Sequence, residues 1–432
     1  MGQQKSNPGG RSQIIKTFVI SQFLFVSSII ETPLEVIKSV NNLIFKFMWK
    51  NKQDRLKRCV LQKQTDNGGL NVPDFETMIN ASKLKWIKNM CKNYEPPWKL
   101  ILQHYLEPSG IHLNILLHSN YSLKYLNICK GSLPGFYYSL LELWSKYGNT
   151  MPVDKQEFIW YNKQLCVNGK SVYYKDFHKA GAWYIKDLYQ SGGTPVPFNV
   201  WVSRGVRPQY LIKWMGLIKK TKSLWTRSSL SPSEEPTQLV LTNKGQIRQL
   251  NSKIIYSELL GQKIGFDACV PRIAKYLQNS DTILWSNVYR RANKVPLDTK
   301  TKEFQYKFLH DLLANNYWLH KWKIKQSNIC HLCDNEVDTI EHMFWSCEAT
   351  QRFWVDVSTF CNTNLYEMTI DKTSVLLGTD EPVLCNIIFM AKIYLYNKII
   401  HEERMVFQQF LMYMNMRKKI EFQIVIVIES EQ

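Results

Sequence analysis

The sequence predicts a mainly α, multi-domain protein, and three observations carry that expectation. Apolar residues recur at helical spacing over long stretches, as in Phe304, Phe308 and Leu312. Strand signals are short and confined to the middle of the chain. The 432 residues, 45% of them hydrophobic, are enough to build two to three domains with cores of their own.

After a polar, Gly-rich start, helical periodicity runs from about Gln13 to Trp49. The apolar run Phe18 to Ile30 inside it is interrupted by Gln22 and falls short of the roughly 20 residues that a membrane span needs, so it reads as a buried helix. It continues at helical spacing through Leu34, Val36, Ile37, Val40, Leu43 and Ile44 without a small-residue cleavage site, which argues against secretion. Met1 to Ser6 fits the short pattern for myristoylation at Gly2, a pattern that any Met-Gly start with Ser or Thr at position six satisfies. A dense basic stretch follows: Lys46, Lys50, Lys52, Arg55, Lys57, Arg58 and Lys63 are opposed only by Asp54. Asn67-Gly68-Gly69 signals a turn, and Pro73-Asp74 starts a helix that carries Ile79, Leu84, Trp86 and Ile87 together with Lys83, Lys85, Lys88 and Lys92. This first, helical and basic domain spans 1–95.

Residues 96–227 form a mixed α/β, aromatic-rich connecting domain, with Trp144, Trp160, Tyr173, Tyr174, Trp183 and Trp201 as core anchors. Short strands are expected around Phe158 to Trp160 and Ser171 to Tyr173, flanking a turn at Asn168-Gly169. A helix from Ile212 to Ile218 ends in Lys219, Lys220 and Lys222. The Ser- and Pro-rich segment 228–251 has linker composition. A helical C-terminal domain, 252–432, resumes near Ser252, places a helix over Glu303 to Leu313 and holds a long apolar helical region from Val383 to Ile420. Ile424 to Ile428 is a β-prone apolar run and an aggregation hazard.

Lys and Arg number 55 against 36 Asp and Glu, a formal charge of +19, and such a field attracts polyanions. Charge alone does not separate a nucleic-acid binder from a protein that only carries its charge. The distribution points further: the basic residues at 46–63 are interleaved with Phe45, Phe47, Met48 and Trp49, an arrangement that pairs phosphates while packing a core or stacking bases, and otherwise is a solvated face. Of the ten cysteines only Cys330, Cys333 and Cys347 cluster, which fits a reducing interior, nucleus or cytoplasm, and not a disulfide framework.

Cys330, Cys333, His342 and Cys347 read C-x2-C-x8-H-x4-C, a CCHC zinc knuckle at 330–347. A C-x2-C pair presents two thiolates from one turn, and a His and Cys five positions apart close the tetrahedron. Three thiolates and one imidazole leave no position for a reactive water, so the expected zinc is structural. A redox C-x-x-C, or two buried cysteines beside an unrelated pair, explains neither the third cysteine nor the histidine. His331, between the two ligand cysteines, is not assigned to the metal. The knuckle holds Asp334, Glu336, Asp338 and Glu341 but no Lys or Arg, so it should repel phosphate. Nucleic-acid contact is therefore expected from the flanking Lys321, Lys323, Lys325 and Arg352, or from Trp318, Trp322, Phe344 and Trp345 stacking on unpaired bases.

Three stretches carry a family resemblance. They are Phe45-Lys46-Phe47-Met48-Trp49 with Asn67-Gly68-Gly69-Leu70-Asn71-Val72-Pro73-Asp74; Glu303 to Lys307 leading to Leu309-His310; and the knuckle with Ile340-Glu341-His342-Met343-Phe344-Trp345-Ser346-Cys347. In this order they resemble the region downstream of the polymerase palm in LINE-type non-LTR retrotransposon reverse transcriptases. The resemblance implies that 1–95 corresponds to the helical thumb that grips primer-template, and that the C-terminal half carries the reverse-transcriptase zinc-binding segment. It implies RNA template and DNA target or primer as partners, positioned during target-primed reverse transcription, with no small-molecule substrate.

The parent family is an RNA-directed DNA polymerase, which needs clustered aspartates for two Mg²⁺ ions. No two aspartates here are adjacent, and the F/Y-x-D-D signature and an endonuclease region are missing, so the chain is expected not to copy RNA alone. Two other readings remain open at this point: a non-enzymatic zinc-containing protein-interaction module, and a retrotransposon relic without function.

Overall fold

A computed structural model describes residues 7–90, 96–109, 113–118, 121, 126–127, 130–150, 158–227, 239–241, 250–295, 297–364 and 369–417. The protein is mainly helical, and strands among the described residues are limited to two short antiparallel pairs. Two compact units interleave along the sequence. One draws on Met1–Lys16, Leu43–Pro73 and Phe266–Gln432, the other on Thr17–Asn42 and Asp74–Gly265. Composition placed its boundaries at 95 and over 228–251, because it registers Ser, Pro and charge but not which distant segments pack together. Most of 228–251 lies outside the described residues, yet Leu239–Leu241 within it pairs antiparallel with Gly148–Thr150. The myristoylation pattern, Lys92, and the run Ile424 to Ile428 also lie outside the described residues.

In the unit built from 17–42 and 74–265, local signals act as read. Asp74 caps the helix Phe75–Met90, its Oδ1 accepting from Thr77 N at 2.9 Å and from the Thr77 hydroxyl at 2.6 Å. Asn168 and Gly169 both take positive φ and close the hairpin of Cys166–Val167 with Lys170–Ser171, a shorter and differently registered pair than the strands expected at 158–160 and 171–173. Trp144, Trp160 and Trp201 are buried anchors, the Trp160 Nε1–H donating to Ala182 O, while Tyr173, Tyr174 and Trp183 are only partly buried around them. Two of the lysines of the helix Phe75–Met90 are engaged: Lys83 is buried and donates to Ser139 Oγ, and Lys88 donates to Leu250 O.

The run Phe18 to Ile30 departs from expectation. It is helical, with a π-helical turn at Ile15–Ile20 followed by the helix Ser21–Ser27, but Phe18 is 67% and Phe25 74% exposed, and Val26 and Ile30 are exposed as well. A run this rich in apolar residues places them on more than one face of a helix, whereas one stripe suffices for packing; here Ile20 and Ser27 are the buried positions.

The core of the other unit centres on the helix Pro382–Ile400, with Ile388, Phe389, Ala391 and Leu395 fully or almost fully buried. It is the one helix among the described residues long and apolar enough to cross a membrane, but more than half of its apolar window is buried against this core. The long region expected from Val383 to Ile420 breaks after Ile400, where Glu402 takes a positive φ, and a second helix covers 407–417. The helix expected at Glu303 to Leu313 is Thr299–Leu309, started by Asp298, whose carboxylate accepts from Thr301 N.

Lys392 sits inside this core, fully buried, with no hydrogen-bond partner for Nζ, which lies 4.2 Å from the Phe308 ring centroid and 4.8 Å from that of Phe389. Burial pushes its pKa down to about 7, with the nearby Cys385 opposing. Between that value and the lysine's ordinary one, the unfolded chain binds a proton that the folded chain does not. Stability from this group therefore rises with pH over that window and is lowest below pH 7. Lys392→Met is expected to raise the melting temperature at pH 6 and to flatten the rise in stability from pH 7 to 10. Equal melting curves at both pH values for parent and variant would remove the buried-charge account.

Candidate metal centre and basic surface

The zinc segment lies between the helices Asn316–Lys321 and Glu348–Asn364. Asn316 pins its start: the backbone N–H donates to Asp338 Oδ2 at 2.8 Å and Nδ2 to Ile329 O at 2.8 Å. A bridge between Ile329 and Val337 and the bond from Cys330 N to Glu336 O at 2.8 Å fold the chain back on itself. The Asp334 N–H closes the turn on Cys330 O at 2.9 Å, with Asp334 at a positive φ, so Cys330 and Cys333 project from one tight loop. His342 opens a π-helical turn, His342–Ser346, and Cys347 directly precedes the helix Glu348–Asn364.

One ligand atom from each of Cys330, Cys333, His342 and Cys347 lies within 4.8 Å of all the others. Cys330 Sγ is 4.0 Å from Cys347 Sγ, and Cys333 Sγ is 3.4 Å from His342 Nε2. A tetrahedral ion with metal–sulfur distances of about 2.3 Å spaces its ligands roughly 3.8 Å apart, a spacing close to that of this donor set, which fits zinc. The Cys347 thiol is pushed below the usual thiol range, first by the hydrogen bond with Cys330, then, against burial, by the N–H groups of Thr350 and Ala349 at the start of the following helix and by His342. Cys330 is shifted up by the same bond with Cys347 and by burial. His331 stays outside the cluster, as expected.

The acidic residues of the knuckle do more than oppose phosphate. His342 Nδ1 lies 2.9 Å from Glu336 Oε2 and 3.2 Å from Ser346 Oγ, which leaves Nε2 for the cluster. Ser346 Oγ donates to Glu341 Oε2 at 3.2 Å, and Glu341 pairs with Lys372 at 2.8 Å. Glu336 is thus an outer partner that orients the imidazole, a role that charge counting in the sequence does not reveal. Glu336→Gln is expected to weaken zinc about 10- to 100-fold in a chelator competition, while Asp334→Asn, exposed and outside this chain of bonds, leaves it unchanged. Equal zinc affinity for the two variants would dismiss the orienting role.

Phe344, proposed from sequence for base stacking, is fully buried and packs edge-on to Phe308 with centroids 4.9 Å apart. It belongs to the core because the π-helical turn that aims His342 at the cluster turns Phe344 inward. Trp345 is half-buried.

Residues 275–354 match the family model described as zinc-binding in reverse transcriptase. This segment is a reverse-transcriptase-associated zinc-binding region. All four ligands lie inside the match, and its closed donor set of three thiols and one imidazole fits a structural zinc. The region begins well before the knuckle and includes His310, whose Nε2 donates to Gly68 O at 3.1 Å. Burial pushes His310 down to about 4, so the neutral ring serves as a tie between the zinc-binding region and the Asn67-Gly68-Gly69 turn of the same unit.

The basic residues singled out from sequence belong to this unit as well. Lys46, Lys50, Lys52, Lys57, Lys321 and Lys323 are exposed, and no carboxylate pairs with them among the described residues. Arg58 pairs with Asp54 at 2.8 Å, Lys325 with Glu402 at 3.6 Å and Arg352 with Glu348, while Lys63 Nζ donates to Asp267 O at 2.8 Å. The Arg55 guanidinium lies over Trp322, 5.0 Å from the ring centroid, which joins the 46–63 stretch to the 321–325 stretch. Arg272 also enters: its guanidinium donates to Arg55 O at 2.7 Å, a placement that no sequence signal marked.

Proposed function

We propose that the chain is a nucleic-acid-binding C-terminal part of a LINE-type reverse transcriptase, whose 1–95 segment acts as a thumb and whose zinc-binding region holds the fold of the binding surface. In that role it positions RNA template and target DNA during target-primed reverse transcription in the nucleus or cytoplasm, without a polymerase or endonuclease site of its own. The carrying observation is that Lys46, Lys50, Lys52 and Lys57 are exposed without carboxylate partners and share one compact unit with the reverse-transcriptase-associated zinc region. Free cations grouped in this way neutralise phosphates, whereas Glu336 and Glu341 of the knuckle are engaged with His342 and Lys372.

The test is a fluorescence-anisotropy salt titration on a primer-template duplex. Each phosphate contact contributes roughly 0.9 to the log–log salt slope. Lys50→Ala, Lys52→Ala, Lys57→Ala and Arg58→Ala combined are expected to weaken binding and flatten the slope by about two to three units, with zinc content intact. Arg58 adds least, since Asp54 already pairs with it. A parent slope retained in the combined variant removes the thumb-like assignment. A second reading, a zinc-containing protein-interaction module, draws support from the exposed Phe18, Phe25, Val26 and Ile30, and it gains if the parent binds no nucleic acid.

A further inference from the structure

The unit that holds the zinc also contains an open groove of about 590 Å³, lined by Val270, Pro271, Arg272, Lys275, Asp311 and Trp318 among others. Trp318 and Trp322 stack at 5.8 Å with their planes 24° apart, Arg55 lies over Trp322, and Lys321 Nζ lies 5.1 Å from the Trp318 centroid. The one carboxylate lining the groove, Asp311, is buried and already engaged, accepting from Lys275 at 3.1 Å and from Trp318 Nε1 at 3.2 Å. Arg272 is exposed and no carboxylate pairs with it among the described residues. Trp318 lines the groove itself, with Trp322 stacked beside it and Arg55 over Trp322, so a planar aromatic pair adjoins the uncompensated positive charge of Arg272.

We propose that this groove is a subsite for one unpaired nucleotide of a single-stranded nucleic acid, its base stacked on the Trp318–Trp322 pair and its phosphate held by Arg272. The inference rests on the reading of the chain as a nucleic-acid binder and specifies which form of nucleic acid this face takes. Charge complementarity selects a polyanion, and the ring faces select an unstacked base, because a duplex presents its phosphates but hides the faces of its bases. An acidic peptide meets the charge and leaves the rings unused. The groove volume lies within the roughly 300–1,000 Å³ typical of small-molecule sites.

The experiment uses the full chain with bound zinc and compares three labelled probes of equal length: a mixed-sequence single strand, an abasic single strand of the same charge, and a duplex. The parent is expected to bind the single strand more tightly than the abasic strand. Trp322→Ala removes a half-exposed ring and is expected to cost roughly 5- to 150-fold on the single strand, the equivalent of one base–aromatic stack, with little change on the duplex or the abasic strand. Trp322→Phe recovers most of that loss. Arg272→Ala is expected to reduce the single-strand salt slope by about 0.7 while keeping the preference for bases over abasic sites. If the parent binds abasic and normal strands equally, or if both alanine variants keep the parent's single-strand affinity while duplex binding persists, the subsite is overturned and the broader reading stands. If the parent binds none of the three probes, both are overturned.

Discussion

Replacing Cys330 and Cys333 together with serine is expected to leave the purified protein without bound zinc and to melt the segment between the helices Asn316–Lys321 and Glu348–Asn364. The parent should carry one zinc per chain by elemental analysis. The metal would tie the segment together at its buried ends, Cys330 and Cys347, whereas Asp334, Glu336 and Val337 between them are exposed. In zinc-finger peptides the metal contributes about 10–16 kcal/mol of apparent binding free energy, comparable to the whole stability of a domain, so its loss dominates any other change here. The ligand turn also feeds the core, since Met343 and Phe344 follow His342 directly and pack with Phe308. The variant is therefore expected to lose near-UV ellipticity and to unfold at least about 10 °C lower than the parent, as the parent does after chelation. A variant that keeps one equivalent of zinc, or melts with the parent, would show that these cysteines are not ligands.

The second large effect lies far from the metal in sequence. A Cβ built on Gly69 would stand 1.9 Å from the Lys63 carbonyl oxygen and 2.7 Å from that of Val60, both backbone atoms that cannot rotate aside. Gly68, at φ +83°, would meet Cys269 Sγ and the Tyr289 ring at 2.5 Å. Gly69→Ala is therefore expected to destabilise the unit by about 3 kcal/mol or more, the upper range for inserted atoms that force the backbone to move. Gly169→Ala provides the comparison: φ is +75° but nothing lies within 4 Å, so only the left-handed backbone is strained, at about 1 kcal/mol. Chemical denaturation of both variants separates the two cases, and equal costs would mean that the turn at 67–69 is not tightly docked.

That docking explains two of the stretches that carried the family resemblance. The Asn67-Gly68-Gly69 turn and the Glu303-to-His310 stretch, separated by more than two hundred residues, meet where His310 donates to Gly68 O. Either stretch alone is a weak mark of the family; in space the two form one joint, with His310 inside the zinc-binding region.

The sequence alone determined the mainly helical class, the cluster of Cys330, Cys333, His342 and Cys347 that fits zinc, the helix start at Asp74 and the turn at Asn168-Gly169, because each depends on residues close together along the chain. Ligand spacing, capping and positive-φ chemistry act locally and need no knowledge of the fold. Tertiary structure alone decided the rest. It set Glu336 against His342 Nδ1, buried Phe344 and Lys83, left Phe18 and Phe25 exposed, and joined 43–73 to 266–432. Hydrophobic pattern says that a residue is apolar but not which neighbours will cover it, and charge says that a lysine is cationic but not whether a carbonyl already holds it. Those outcomes depend on contacts such as Gly68 with His310, 242 positions apart, which only the folded chain brings together.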